Sequence, residues 1–137
     1  MSTQNRMQAL KDAYNKSPSI NNNEQGCKLD NNKPRLDLIP AEFTIETAKA
    51  LTFGVKKYGE HNYRKGIKYS RLIAGIMRHL LLWLSGVETD EESGLPHLAC
   101  AQAGLAMLAF MRYNRKDLDD RFNYESTEHL VDLMYGD

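Results

Sequence analysis

From about His97 to Tyr113 the chain carries Leu98, Ala99, Ala101, Ala103, Leu105, Ala106, Met107, Leu108, Phe110 and Met111. On a helix this set leaves almost no polar face, so the helix must be surrounded, and no other segment constrains the fold as strongly. A chain of 137 residues is short for hiding such a helix alone. The expectation is therefore an all-α helical bundle that is a dimer or larger homo-oligomer through this helix, with Ala103, Gly104 and Ala106 letting helices approach closely. Gln102 interrupts the apolar run from Leu98 to Met111, which also falls short of the roughly 18 residues of a membrane span. No membrane partner is expected.

Two more long helices accompany it. From Ala41 to about Lys57, Phe43, Ile45, Ala48, Leu51, Phe53 and Val55 recur near helical spacing, with Pro40 ahead and Tyr58-Gly59 as a stop. From about Ser70 to Ser85, Leu72, Ile73, Ile76, Met77, Leu80, Leu81 and Leu84 cover more than half of the circumference before Gly86, so this helix is expected to be buried on two sides. Shorter helical pieces are expected at Thr3 to Asn15 and near Ser126 to Met134. The polar stretch SPSINNNEQGCKLDNNK cannot bury enough apolar area to order itself, and PRLDLIP suits an extended lead-in because each proline restricts the residue before it. These readings divide the chain into a flexible arm and linker (1–32), a helical domain (33–114) and an acidic C-terminal loop with a short helix (115–137). They include no β-rich segment and no internal repeat.

With 18 Lys and Arg against 18 Asp and Glu, the chain is not a basic binder of long nucleic acid held by phosphate attraction. Cys27 and Cys100 offer neither a zinc spacing nor a disulfide framework, and the N-terminus lacks an apolar signal core, so a reducing, cytoplasmic setting is expected.

The charge is nevertheless segregated. Residues 56–72 hold Lys56, Lys57, Arg64, Lys65, Lys68 and Arg71 against the single acid Glu60. Tyr58, Asn62 and Tyr63 lie among them, a mixture suited to phosphates, ribose hydroxyls and base faces, and equally compatible with a solvated basic turn. Glu88, Asp90, Glu91 and Glu92 crowd one short loop between His79 and His97. Asp90 and Glu92, with Glu88 beside them, can offer oxygen ligands to Mg²⁺ or Mn²⁺, or can simply be solvated and cap the following helix. His79 lies beside Arg78 and one turn before Trp83, which can place imidazole, guanidinium and indole around a base or phosphate, or can be a satisfied core position. His97, after Gly94-Leu95-Pro96, can donate to the acidic loop or serve the helix N-terminus. No phosphate loop, dinucleotide fingerprint, H-E-x-x-H or C-x-x-C motif is present.

Taken in order, KPRLDLIP, FGVKKYGEHNYRKG, RHLLLWLSG and DEESGLPHLA resemble the phage and bacterial dATP/dGTP diphosphohydrolase N-terminal domain family, related to all-α, MazG-like nucleotide pyrophosphohydrolases. The resemblance covers roughly residues 33 to 113. It rests on the succession Lys33-Pro34, Pro40, Gly54, Lys57-Tyr58, Asn62, Gly66, Arg78-His79, Trp83 and Gly86, then Asp90, Glu92, Ser93, Gly94, His97 and Leu98. It implies a divalent metal held by acids and cleavage of a purine nucleoside triphosphate to monophosphate and pyrophosphate. On that carry-over Asp90, Glu92, His79 and His97 are the catalytic candidates, with metal at Asp90, Glu92 and Glu88. The nucleotide candidates are Lys57, Tyr58, Asn62, Tyr63, Arg64, Lys65, Arg78 and Trp83, and a phage origin implies the host cytoplasm.

The chain departs from the family pattern at Val87, where an acid is usual, and at Cys100 and Gly104, where a His and an Asn are usual. Losing such groups while keeping the basic and aromatic ones is what a metal-independent nucleotide sponge derived from an enzyme looks like, one that sequesters a cyclic or ADP-ribose-type immune signal as an anti-defence protein. A structural or interaction module is the third alternative, if the acidic loop and basic turn are ordinary surface.

Overall fold

The computed structural model describes residues 2–16, 26–122 and 126–136. Its helices are α1 (Thr3–Asn15), α2 (Ala41–Tyr58), α3 (Tyr69–Leu84), α4 (His97–Asn114) and α5 (Glu128–Tyr135). Short 3-10 turns lie at Leu36–Leu38, Asn62–Lys65 and Lys116–Leu118. Among the described residues there is no strand, only an isolated antiparallel bridge between Thr89 and Pro96, so the chain is all-α. Among the described residues no helix is long and apolar enough to cross a membrane.

The punctuation works as its chemistry dictates. Pro40 and Pro96 occupy the N-caps of α2 and α4, with φ of −57° and −56°, in the range the pyrrolidine ring imposes. At the end of α3 the chain turns back at Gly86, with φ of 94°. Gly86 N–H donates to the Trp83 carbonyl at 3.0 Å and Val87 N–H to the Leu82 carbonyl at 2.9 Å. This pair of bonds caps the last carbonyls and needs a residue that tolerates the left-handed region.

The chain divides into two units, residues 1–38 and 39–137. The first contains α1 and the turn Leu36–Leu38. Of the expected linker, residues 17–25 lie outside the described residues, while Lys33 N–H closes a turn on the Asp30 carbonyl at 3.1 Å. The extended lead-in expected over residues 34–40 is corrected, since Leu38 N–H donates to the Arg35 carbonyl at 3.1 Å and Arg35 pairs with Asp37 at 2.7 Å. Pro34 and Pro40 restrict only the residues before them, which leaves Arg35 to Leu38 free to coil.

In the second unit α4 packs against α3 and α2, and the turns at Asn62–Lys65 and Lys116–Leu118 close on its C-terminal half. Tyr69, Leu72 and Met111 form the core, with Tyr63, Ile67, Met107, Leu108, Phe110 and Leu118 packed on it. Ala99, Ala101, Ala103 and Gly104 are buried along the same helix. The chain thus covers α4 in part, while Leu105, Ala106 and Ala109 stay exposed on it. Of its small residues, Gly104 serves a contact within the chain. A Cβ at Gly104 would lie 2.6 Å from Ile76 Cγ1, so α3 and α4 meet as closely as a glycine permits. The second correction concerns α3, which buries Tyr69, Leu72 and Ile76 but leaves Ile73, Met77, Leu80, Leu81 and Leu84 exposed, and so is buried on one side only.

Candidate functional site

The long helices run so that one end of the bundle collects the chemistry. Along α3 and α4, Tyr69 Oη donates to the Met111 carbonyl at 3.1 Å, Ile76 faces Gly104, and His79 meets His97, an antiparallel succession. Along α2, Thr47 Oγ1 lies 3.1 Å from Gln102 Oε1, and Lys57 reaches Glu92 in the loop just ahead of α4. The C-terminal halves of α2 and α3, the loop 85–96 and the first turn of α4 thus converge.

That loop is closed by its own backbone. Asp90 N–H donates to the Leu95 carbonyl, Gly94 N–H to the Asp90 carbonyl and His97 N–H to the Glu88 carbonyl, each at 2.8 Å. Ser93 clamps the acid inside: its N–H and its hydroxyl both donate to Asp90 Oδ2, at 2.9 and 2.7 Å. The clamp uses one carboxylate oxygen and leaves Oδ1 outside it.

Asp90 then meets two imidazoles. His79 Nδ1 and His97 Nδ1 are 2.9 Å apart, and one ligand atom from each of His79, Asp90 and His97 lies within 4.8 Å of the others. His97 is 4% exposed, while His79 and Asp90 are half-buried, so the group is walled on one side and open on the other. The hydrogen bonds from Ser93 hold the Asp90 carboxyl below its usual range, outweighing burial. Burial pushes the His79 imidazole down, with the nearby Asp90 acting against it.

The remaining candidates are distributed around this group. Glu92 pairs with Lys57, and Glu88 accepts from Trp83 Nε1 at 3.1 Å, so both acids are turned to partners other than the histidines. Arg78 is exposed beside His79 and disfavours its protonation. Tyr58 lies under the ammonium of its neighbour Lys57, 5.1 Å from ring centroid to Nζ. Asn62 is half-buried in the 3-10 turn, and the Lys65 carbonyl accepts from Arg115 Nη1 at 2.8 Å. Tyr63 packs edge-on to Phe110 with centroids 5.5 Å apart, and the Arg64 guanidinium lies 5.1 Å from the Phe110 centroid. Phe110 is about 20 Å along α4 from His97 at 1.5 Å per residue. The basic segment therefore contributes Lys57 to the site end and commits Tyr63 and Arg64 to the far half of the bundle.

A cleft of about 470 Å³ opens beside the loop, lined by Ile45, Phe53 and Leu95 with Lys49, Lys56 and Ser93. Ser93 belongs to both the cleft and the clamp on Asp90. Lys56 belongs to the basic segment read from the sequence, whereas Lys49 does not stand out because it lies within an apolar-periodic helix; its signal is the polar stripe Lys49, Thr52, Lys56 at spacings of three and four. Cys100 edges the same region, its Sγ 3.7 Å from Ser93 Oγ, with its thiol pushed up by burial.

The His79 shift has a sign that can be tested. Its folded value lies below the ordinary 6.5, so its contribution to stability is complete above that pH and is lost as pH falls through the folded value. In EDTA, the melting temperature of the wild type is expected to fall more steeply between pH 7.5 and 5 than that of His79→Gln. Parallel profiles in differential scanning fluorimetry would contradict the assignment.

A family model described as dATP/dGTP diphosphohydrolase, N-terminal, matches residues 23–121, a span that contains all three residues of the histidine–aspartate group. A curated protein named dATP/dGTP diphosphohydrolase, from Salmonella phage PMBT28, is 40% identical over 96 residues, 70% of this chain. The match spans 33% of that relative, about one third of its length. No solved structure matches the chain significantly.

Proposed function

The chain belongs to the dATP/dGTP diphosphohydrolase N-terminal family, and from that premise we propose that it binds purine deoxynucleoside triphosphates at the loop end of the bundle. With a divalent cation it cleaves them between the α and β phosphates, water adding across the broken bond to give monophosphate and pyrophosphate. The observation that carries this reading is the convergence of His79, Asp90 and His97 beside a cleft that is lined by apolar residues and two lysines and shares Ser93 with the clamp on Asp90.

The residues fit these tasks. Two imidazoles and a carboxylate are a donor set for a divalent ion, and such an ion would supply positive charge that draws a triphosphate and stabilises charge developing on it. Ser93 fixes the Asp90 carboxylate through Oδ2, so its orientation does not depend on the ligand. Lys49 and Lys56 attract phosphate oxygens, while Ile45, Phe53 and Leu95 offer apolar surface to a base.

One observation favours binding without cleavage as a second reading. Glu88 and Glu92, the other acids of the loop named as candidates, are engaged by Trp83 and Lys57 and do not face the imidazoles as a ready base for water. One assay separates the two: the protein is incubated with dATP, dGTP and their ribose counterparts in Mn²⁺, Mg²⁺ or EDTA, and the nucleotides are chromatographed before and after heating. Metal-dependent monophosphate and pyrophosphate are expected. A nucleotide depleted before heating and recovered intact afterwards supports sequestration, and no depletion and no product would sink both readings.

A further inference from the structure

We propose that His79, Asp90 and His97 form a three-ligand site for a first-row transition ion of the Mn²⁺ to Zn²⁺ series, rather than a carboxylate site for Mg²⁺. The inference deepens the nucleotide reading by naming the cation class, and it rests on that reading only for the ion's use, not for its binding.

Three features carry it. His79 Nδ1 and His97 Nδ1 share a hydrogen bond at 2.9 Å, so both imidazoles turn the same nitrogen to one point. With the donor's proton on Nε2 instead, both become acceptors for a cation. Tetrahedral donors at about 2.1 Å from an ion lie roughly 3.4 Å apart, a small adjustment. A ligand atom of Asp90 lies within 4.8 Å of one on each imidazole. The acid is fixed from behind by its side chain, and the two histidines by their backbone. His79 is held in α3, Asp90 is clamped by Ser93, and His97 is the first residue of α4, with its N–H bound to the Glu88 carbonyl at 2.8 Å. A site whose ligands are positioned by supporting bonds spends little on ordering when the ion enters. Finally, the group is buried at His97 and open at His79 and Asp90, which leaves positions for water or phosphate oxygen, the arrangement of a reactive site rather than of a closed structural one.

The donor chemistry selects the ion. Mg²⁺ is bound through oxygen and retains its waters, whereas imidazole nitrogen suits the later first-row ions, with affinity rising towards the end of the series.

The test reads binding and not turnover. Tag-free full-length protein, stripped with EDTA and dialysed, is titrated with Co²⁺ while its visible absorption is followed, then challenged with Zn²⁺ and with millimolar Mg²⁺. One Co²⁺ per chain is expected, displaced by stoichiometric Zn²⁺ and unaffected by Mg²⁺. His79→Gln and Asp90→Asn, each checked for helix content by circular dichroism, are expected to weaken Co²⁺ binding by about 100-fold or more, the upper range for disturbing a metal shell. In Glu92→Gln the affinity is expected to stay within about threefold, since that acid is turned to Lys57. Failure of the wild type to bind Co²⁺ or Zn²⁺ would overturn the proposal, as would binding that survives in both His79→Gln and Asp90→Asn. Loss of Co²⁺ and Zn²⁺ binding with turnover retained would sink this site and leave the enzyme; Co²⁺ binding without turnover would keep the site and sink the enzyme.

Discussion

Asp90→Asn is expected to lower metal-dependent release of pyrophosphate by about 100-fold or more while the protein stays folded, the loss typical of removing one charge-stabilising group from a reacting centre. The substitution is nearly isosteric. An asparagine oxygen can take the place of Oδ2 and accept both hydrogen bonds from Ser93, so the loop keeps the clamp that closes it. What changes is the other arm, where an uncharged NH₂ replaces a carboxylate oxygen beside His79 and His97. That group neither binds a cation nor compensates its charge. Release of pyrophosphate measured with dGTP and Mn²⁺, alongside a thermal melt, decides the matter. Turnover equal to the wild type would remove Asp90 from the site, and a melt lowered by many degrees would show that the acid is structural instead.

The helices were legible because their signals are local. Pro40, Pro96 and Gly86 mark boundaries through backbone sterics, and α2, α3 and α4 are found within a residue or so of where periodicity placed them. The turn at Leu36–Leu38 was not legible, because the prolines around it constrain their predecessors and say nothing of Arg35 to Leu38. Nor was the sidedness of α3: Leu72 and Leu81 read alike in sequence, and only the antiparallel seat on α4 separates a buried from an exposed leucine.

The site shows the same division. His79, Asp90 and His97 were all singled out from residue type and position, yet their convergence depends on His79 lying opposite the first turn of α4, a fact of packing. The alternation of acids in the loop suggested Asp90, Glu92 and Glu88 as one ligand set. The closed loop instead points Asp90 to the imidazoles, Glu92 to Lys57 and Glu88 to Trp83, because backbone bonds at Asp90, Gly94 and His97 fix which way each side chain leaves. Of the cleft lysines of α2, Lys56 reads as part of the basic segment, while Lys49 is hidden among apolar neighbours that share its helix.

Met111→Ala is expected to cost about 2–5 kcal/mol, the range for emptying a well-packed aliphatic site. Met111 is 0% exposed and packs with Tyr69 and Leu72 where the two turns close on α4. Those neighbours cannot readily collapse into the void: Tyr69 is held by the bond from its hydroxyl to the Met111 carbonyl, and Leu72 is seated in α3. Against a total stability of roughly 5–15 kcal/mol for a typical domain, such a loss takes a large fraction, so the urea midpoint should fall sharply with the slope unchanged. The informative comparison is Leu81→Ala on the outer face of α3. Leu81 is 60% exposed, and in an isolated chain its truncation should move stability by no more than about 0.5 kcal/mol. A cost for Leu81→Ala approaching that for Met111→Ala, and varying with protein concentration, would mean that this face is covered by another copy in solution. A small, concentration-independent cost would mean that the apolar surface of α3 faces water and that the core around Met111 alone holds the bundle together.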